Sequence, residues 1–385
     1  MNSLGKLFAR SISLPSRPGQ LICEAVNSRL EGRAVWFPLP SKWIVVLTVL
    51  AVLSSAQTLR QKAEAAGVLI GTAVRADRLS EPAYATTLAQ EYNLVEPEDA
   101  MKWWVLRPSR DVFDFAQGDA IVRFALARGM KVRGHCLLWG RSNPDWLVQG
   151  NFTPAQLTEL ARQHITAVVH HYAGQVFAWD VVNEALDENG QPRDSIWNAG
   201  LSSAPRAQRL AYIEQAFRWA RAADPKALLF YNEAEAEGLG VKSDAVFATM
   251  KDFRARGVPV DGVGLQMHVP DLNLDTAAVA ANIRRLTQLG LQVHITELDV
   301  ALPVDENAEP RDSADIAKQA QIYASVAHAC LSSPQCTAIQ TWGFTDKYSW
   351  IGSHSSHTKG AALPFGRNYQ KKPAYEQLLT VLRPR

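Results

Sequence analysis

From Gln57 onward the chain repeats one unit: a short apolar run, a turn, then a stretch with helical spacing of apolar residues. The unit is constraining because antiparallel strands can join through a two-residue turn, whereas parallel strands need a crossover long enough to hold a helix. Apolar runs fall at 69–73, 94–96, 131–138, 176–182, 227–231, 262–266, 292–296 and 337–341. Helical spacing marks 155–172, 206–223, 276–289 and 314–331. Thr153-Pro154 and Asp275-Thr276 supply the capping oxygen, and in one case the early proline, that open a helix. Gly129, Gly257 and Gly290 stand where helices should stop. Eight strands alternating with helices predict an α/β fold, a single (β/α)8 barrel over residues 57–385. An open doubly wound sheet alternates similarly, but no G-x-G-x-x-G follows the first run. No linker rich in Ser, Thr or Pro sets off a second module.

Residues 1–56 form a leader of different character. The apolar run 43–53 follows Lys42 and is followed by Ser54-Ser55-Ala56-Gln57, the pattern of a secretory signal peptide. It is shorter than the roughly 20 residues that span a bilayer. Some forty residues precede it, so an uncleaved anchor with a short cytoplasmic tail is the other reading. Either reading puts the barrel outside the cytosol, as a secreted or periplasmic protein or as a membrane-anchored one. The net charge of +2 offers no field to hold nucleic acid. No C-x-x-C pair occurs among the four cysteines. Cys330 and Cys336 flank a Ser-Ser-Pro turn, a spacing that suits a small disulfide loop or two separate buried thiols.

In a barrel of this kind, chemistry gathers at the C-terminal ends of the strands. Those ends are polar or aromatic throughout this chain. The second carries Glu96, Glu98 and Asp99, the third Arg133, His135 and Trp139, and the fourth Asn183 and Glu184. The fifth ends in Tyr231-Asn232-Glu233, the sixth in Gln266 and His268, the seventh in Glu297 and Asp299, and the eighth in Trp342. Glu184 and Glu297 each directly follow an apolar run, on opposing sides of an eight-membered ring. A lone strand-end glutamate is commonly a salt-bridge partner; two facing ones suit glycoside hydrolysis. At about 5–5.5 Å separation, one carboxylate attacks the sugar while the other protonates the leaving oxygen. A metal is not expected: His135, His268 and His294 are dispersed and lack the ligand spacing of a zinc site. Trp342 and Trp350 are the candidates for stacking on sugar, whereas Trp197 and Trp219 read as core.

From about Leu59 onward the sequence resembles glycoside hydrolase family 10, the retaining endo-β-1,4-xylanases. The resemblance rests on Met101-Lys102-Trp103, Arg133-Gly134-His135, Trp179-Asp180-Val181-Val182-Asn183-Glu184, Gly264-Leu265-Gln266-Met267-His268, Ile295-Thr296-Glu297-Leu298-Asp299 and the segment from Trp342 to Trp350. It implies Glu184 as acid/base and Glu297 as nucleophile, with His268 bridging Glu297 and Asp299. It implies that Asn183 binds a sugar hydroxyl and that Glu98, Lys102, His135, Trp139, Gln266, Trp342 and Trp350 line the donor subsites. It further implies a Cys330–Cys336 bridge, a cis peptide between His135 and Cys136, no cofactor, and action on xylan or a related β-1,4-linked polysaccharide; a monomer is expected. The chain departs from the family at Asp99, where Asn is usual, and at Gly140-Arg141-Ser142, where His-Ser-Gln is usual. Two rival functions remain: another retaining β-1,4-glycanase on the same barrel, and a membrane-tethered polysaccharide-binding protein. Pure binding has no need of opposed carboxylates, which speaks against the second.

Overall fold

The computed structural model describes residues 57–383; the leader over 1–56, with its apolar run, lies outside the described residues. The barrel strands are β1 Leu69–Val74, β2 Leu94–Pro97, β3 Lys131–Gly134, β4 Ala178–Asn183, β5 Leu228–Glu233, β6 Gly262–Leu265, β7 Gln292–Val300 and β8 Cys336–Thr341. Each pairs in parallel with the next. β8 returns to β1, with Ala338 opposite Leu69 and Thr341 opposite Thr72, and closes the ring. Closure removes the free edges at which other chains would add. All six residues of β4 are buried. Burial on both faces makes such strands read as solid apolar blocks rather than alternating ones.

Helices α1 Leu59–Ala66, α2 Pro82–Glu91, α3 Ala116–Leu126, α4 Pro154–His171, α5 Ala211–Ala223, α6 Val241–Ala255, α7 Thr276–Gln288, α8 Ser313–Leu331 and α9 Pro373–Val381 alternate with the strands. α4 shows why its sequence is helical. The Thr153 hydroxyl accepts from the Gln156 N–H at 3.3 Å, and the Gln156 side chain accepts from the Thr153 N–H at 2.9 Å. Leu157, Leu160, Ala161, His164, Ile165 and Val168 then bury one face at spacings of three and four.

Two expected elements are each divided in two. The run at 131–138 is not one strand: the ladder stops at Gly134, the His135–Cys136 peptide is cis, and pairing with β4 resumes at Leu138–Trp139. A Cβ on Gly134 would lie 2.2 Å from the Trp179 ring, so only glycine lets β3 approach β4 here. The helix expected over 206–223 is divided into Arg206–Arg209 and α5. Its first turn is pinned to the preceding loop, where the Arg206 and Arg209 guanidinium groups donate to the carbonyls of Gly190 and Pro192.

The two ends of the barrel domain meet at Glu91, a buried carboxylate at the end of α2. It accepts from the Leu59 N–H at 2.9 Å and the Tyr375 hydroxyl at 3.0 Å, and lies 3.2 Å from the Lys371 ammonium. Cys330 at the end of α8 is bonded to Cys336 at the start of β8, on the face of the barrel away from the mouth, while Cys136 is buried and free. The bond closes a short loop, for which chain entropy gives a stabilisation of about 2 kcal/mol. Replacing both cysteines with serine should lower the unfolding free energy by about that amount in urea titration. Wild-type protein held in reductant should show the same loss.

Candidate active site

At the mouth of the barrel, β4 gives way to Glu184, which is half-buried and has φ 53°. A residue with a side chain seldom adopts that left-handed backbone, and where it persists the surroundings hold it there. Glu297 is buried and belongs to β7 itself. A run of amide side chains connects them. Gln266 Nε2 donates to Glu184 Oε1 at 3.1 Å and to Asn183 Oδ1 at 3.2 Å. Asn232 Nδ2 donates to Asn183 Oδ1 at 2.9 Å and to Glu297 Oε1 at 2.8 Å. The Thr296 hydroxyl donates to Asn232 Oδ1 at 2.8 Å and so fixes which way that amide faces.

The other oxygen of Glu297 lies 3.1 Å from His268 Nε2, and His268 Nδ1 lies 3.0 Å from Asp299 Oδ2. Trp350 Nε1 donates to that same Asp299 oxygen at 2.8 Å. Burial opposes a charge on His268, but the two carboxylates facing its ring outweigh it and push the imidazole well above its usual range. Burial likewise opposes a charge on Glu297. The hydrogen bond and charge of His268, the charge of His135 and the amide of Asn232 outweigh it and bring the carboxyl below its usual value. Glu297 is therefore an ionised carboxylate with both oxygens held.

Beneath this pair, Arg133 is wholly buried inside the barrel. It donates through two nitrogens to Asp180, and its Nη1 lies 2.8 Å from His294 Nδ1. Asp180 Oδ2 also faces His135 Nδ1 at 3.0 Å. Burial would raise the Asp180 carboxyl, but Arg133 and His135 hold it far below its usual range. Glu96 differs: burial, added to by the charge of Asp180, pushes its carboxyl well up. Glu96, His135 and Glu297 bring three possible metal donors within 4.8 Å of one another. Each is already engaged: His135 with Asp180, Glu96 with the Gln340 amide, and Glu297 with Asn232 and His268. His135 also has its imidazole pushed up, chiefly by Cys136 and Asp180 against the cost of burial, so it carries the charge a cation would have to meet.

One wall of the mouth is cationic and aromatic. Lys102 Nζ sits 5.2 Å from the Trp139 ring centre and 5.6 Å from that of Trp342. The Trp342 ring lies 5.3 Å from His135 and 6.5 Å from His268, joining this wall to the Glu297 side. Glu98 lies further out on the rim beside Asp99; burial, then the Asp99 charge, raises its carboxyl.

A sequence profile described as Glycosyl hydrolase family 10 matches residues 58–381. The chain belongs to glycosyl hydrolase family 10. Among the family 10 relatives, an endo-1,4-beta-xylanase B of Thermotoga neapolitana is 37% identical over 321 residues, covering 82% of this chain and 89% of that protein. The native xylanase 10B of Thermotoga maritima superposes with a TM-score of 0.79 at 38% identity, covering 84% of this chain and 98% of that one. The xylanase 10B of Thermotoga petrophila RKU-1, solved in complex with xylobiose, gives the same TM-score and identity, covering 84% and 97%.

This family 10 barrel thus brings Glu184, Asn183, Gln266, Glu297, His268, Asp299 and Trp350 into one hydrogen-bonded group, and sets Lys102, His135, Trp139 and Trp342 beside it. Trp197 and Trp219 are partly buried and pack on the core, as read from the sequence. Asn232, one of the polar strand-end residues, carries no charge that marks it in the sequence as the group holding Glu297. Its signal was its place at a strand end opposite Asn183. Arg133 and Asp180 stand at strand ends in the sequence, but their pairing, across 47 residues, is not visible there. Arg141, in the segment that departs from the family, reaches to 4.0 Å from Glu184 Oε2.

Replacing His268 with Asn should release Glu297 from its cation. A carboxylate that loses a neighbouring positive charge titrates higher, so its protonation midpoint should rise by about 1–2 pH units. Carbon-13 NMR of labelled glutamate would read this directly, and the acid limb of any pH–rate profile should move to higher pH by the same amount.

Proposed function

We propose that this chain is a retaining endo-β-1,4-xylanase in which Glu297 is the nucleophile and Glu184 the acid/base. One observation carries the division of roles: Glu297 has both oxygens engaged, one by the Asn232 amide and the other by the His268 ring, which favours its ionised form, whereas Glu184 is hydrogen-bonded at one oxygen, by the amides of Gln266 at 3.1 Å and Asn183 at 3.4 Å, with Arg141 standing 4.0 Å from the other. A Glu297 oxygen attacks the anomeric carbon as the glycosidic C–O bond breaks, and the Glu184 proton passes to the departing oxygen. Water then attacks the glycosyl-enzyme, its proton returns to Glu184, and Glu297 leaves. Two inversions give net retention. Asn183, whose Nδ2 donates to Glu184 Oε1 at 3.4 Å and whose Oδ1 accepts from the Asn232 amide that also holds Glu297, is placed to hold a sugar hydroxyl next to the reacting carbon.

The choice of xylan is supported by relatives named endo-1,4-beta-xylanase in bacteria and fungi, and by the xylobiose complex of the T. petrophila xylanase. Against this stand Asp99 and Gly140-Arg141-Ser142, which alter the donor-side wall. Sugar release from xylan should exceed that from carboxymethyl-cellulose by a wide margin; the reverse would make the chain a glucanase on the same scaffold. Export is supported by the apolar run at 43–53 and by the Cys330–Cys336 bond, since such bonds persist in oxidising compartments.

Glu297→Ala should abolish hydrolysis of every glycoside. Glu184→Ala should still cleave an aryl glycoside with a good leaving group, because that step needs little protonation, and then stall at the glycosyl-enzyme. Added azide should restore its turnover and yield a β-glycosyl azide. Rescue of Glu297→Ala with an α-azide would reverse the two roles.

A further inference from the structure

We propose that a cavity between the loops after β1 and β2 binds an additional sugar ring of the same glycan, outside the donor wall. The proposal rests on the xylanase reading above and extends it. The cavity has a volume of about 540 Å³ and is lined by Arg75, Asp77, Asp99, Trp104 and Gln117, with small residues between them. That size falls within the roughly 300–1,000 Å³ of small-molecule sites. All of these groups stand on the mouth side: Arg75 follows β1, Asp99 and Trp104 follow β2, and Gln117 lies in the first turn of α3.

Three features point to a neutral sugar. The first is Trp104, which is 48% exposed, while its neighbour Trp103 is buried and stacked on His164 at 3.7 Å. Trp103 serves the core; the Trp104 indole spends its apolar area on no packing of that kind and borders a cavity instead. A pyranose ring offers a flat C–H face to an indole and hydroxyls to the groups around it. The second feature is the polar lining, which holds both donors and acceptors. Its one cation, Arg75, lies 3.0 Å from Asp99 Oδ2 and 3.2 Å from Asp77 Oδ1, and each carboxylate also meets a cation from outside the lining, Asp99 meeting Lys102 at 3.2 Å and Asp77 meeting Arg78 at 3.6 Å, so the charges are balanced. The balance favours a ligand of hydroxyls over one with its own charge. The third is continuity. Asp99 turns one oxygen to Arg75 in the cavity and the other to Lys102 of the donor wall, at 3.2 Å. A glycan running out past Lys102 meets the cavity next.

The test compares chain lengths. An aryl β-xylobioside places its two sugars in the inner donor subsites, whereas xylohexaose reaches further. Trp104→Ala should act on the aryl xylobioside within about twofold of wild type and lose about tenfold in kcat/KM on xylohexaose, mainly through KM. Trp104→Phe, which keeps an aromatic face, should recover most of the loss. Equal behaviour of Trp104→Ala on the two substrates, in active enzyme, overturns the cavity site alone. A wild type that cleaves neither xylan nor the xylobioside overturns the xylanase reading and this proposal with it. A binding measurement covers the case in which the alanine variant does not fold. Xylohexaose should change the tryptophan fluorescence of Glu297→Ala, and part of that change should vanish when Trp104→Phe is added. Identical titrations with and without Trp104→Phe overturn the proposal.

Discussion

The contact between Arg133 and Asp180 holds up the floor of the mouth. A guanidinium and a carboxylate, each without accessible surface, meet through two hydrogen bonds in the interior of the barrel. Desolvating either alone would cost several kcal/mol, and removing one partner of such a pair typically destabilises by about 3–5 kcal/mol. The pair is tolerated because its remaining valences are used: Arg133 also reaches His294 and lies over the Phe230 ring, and Asp180 also receives His135. Gly264 leaves the room this requires, since a Cβ there would sit 2.1 Å from Asn232 Oδ1 and 3.1 Å from Arg133 Nη2.

From that pair the charges alternate upward. Asp180 sustains the cation on His135; His135 and His268 together sustain the anion on Glu297; Asp299 and Glu297 sustain the cation on His268. Each group is charged because its neighbour is, in an interior where an isolated charge would neutralise itself by gaining or losing a proton. Glu96 is the exception: it faces Asp180 across the same space, and its carboxyl is driven up rather than down. The arrangement keeps Glu297 ionised between two imidazole rings.

Much of this could be read from the chain, for reasons that differ by element. Strands buried on both faces announced themselves as apolar blocks, and α4 and α7 carried capping side chains at Thr153 and Asp275. α3, α6 and α9 have no side-chain cap, and their spacing alone did not mark them. The run at 292–296 was cut short because Glu297 and Asp299 interrupt its apolar pattern, although the strand continues to Val300. The two glutamates stood out by charge at strand ends. Asn232 is neutral, and its importance depends on the register that sets it beside Asn183. The Arg133–Asp180 pair depends on β3 lying next to β4, a relation of strands that no local pattern displays.

The meeting at Glu91 bears on how such a chain leaves the ribosome. Leu59 is among the first residues of the domain to emerge, and Tyr375, which shares the same carboxylate oxygen, is among the last. β1 likewise waits for β8 before its second edge is covered. Throughout most of synthesis, then, the nascent domain carries an open sheet edge and a carboxylate whose partners have not all been made. Closing contacts of such long sequence separation come late and slowly. A growing chain of this kind depends on whatever shields that edge until β8 arrives.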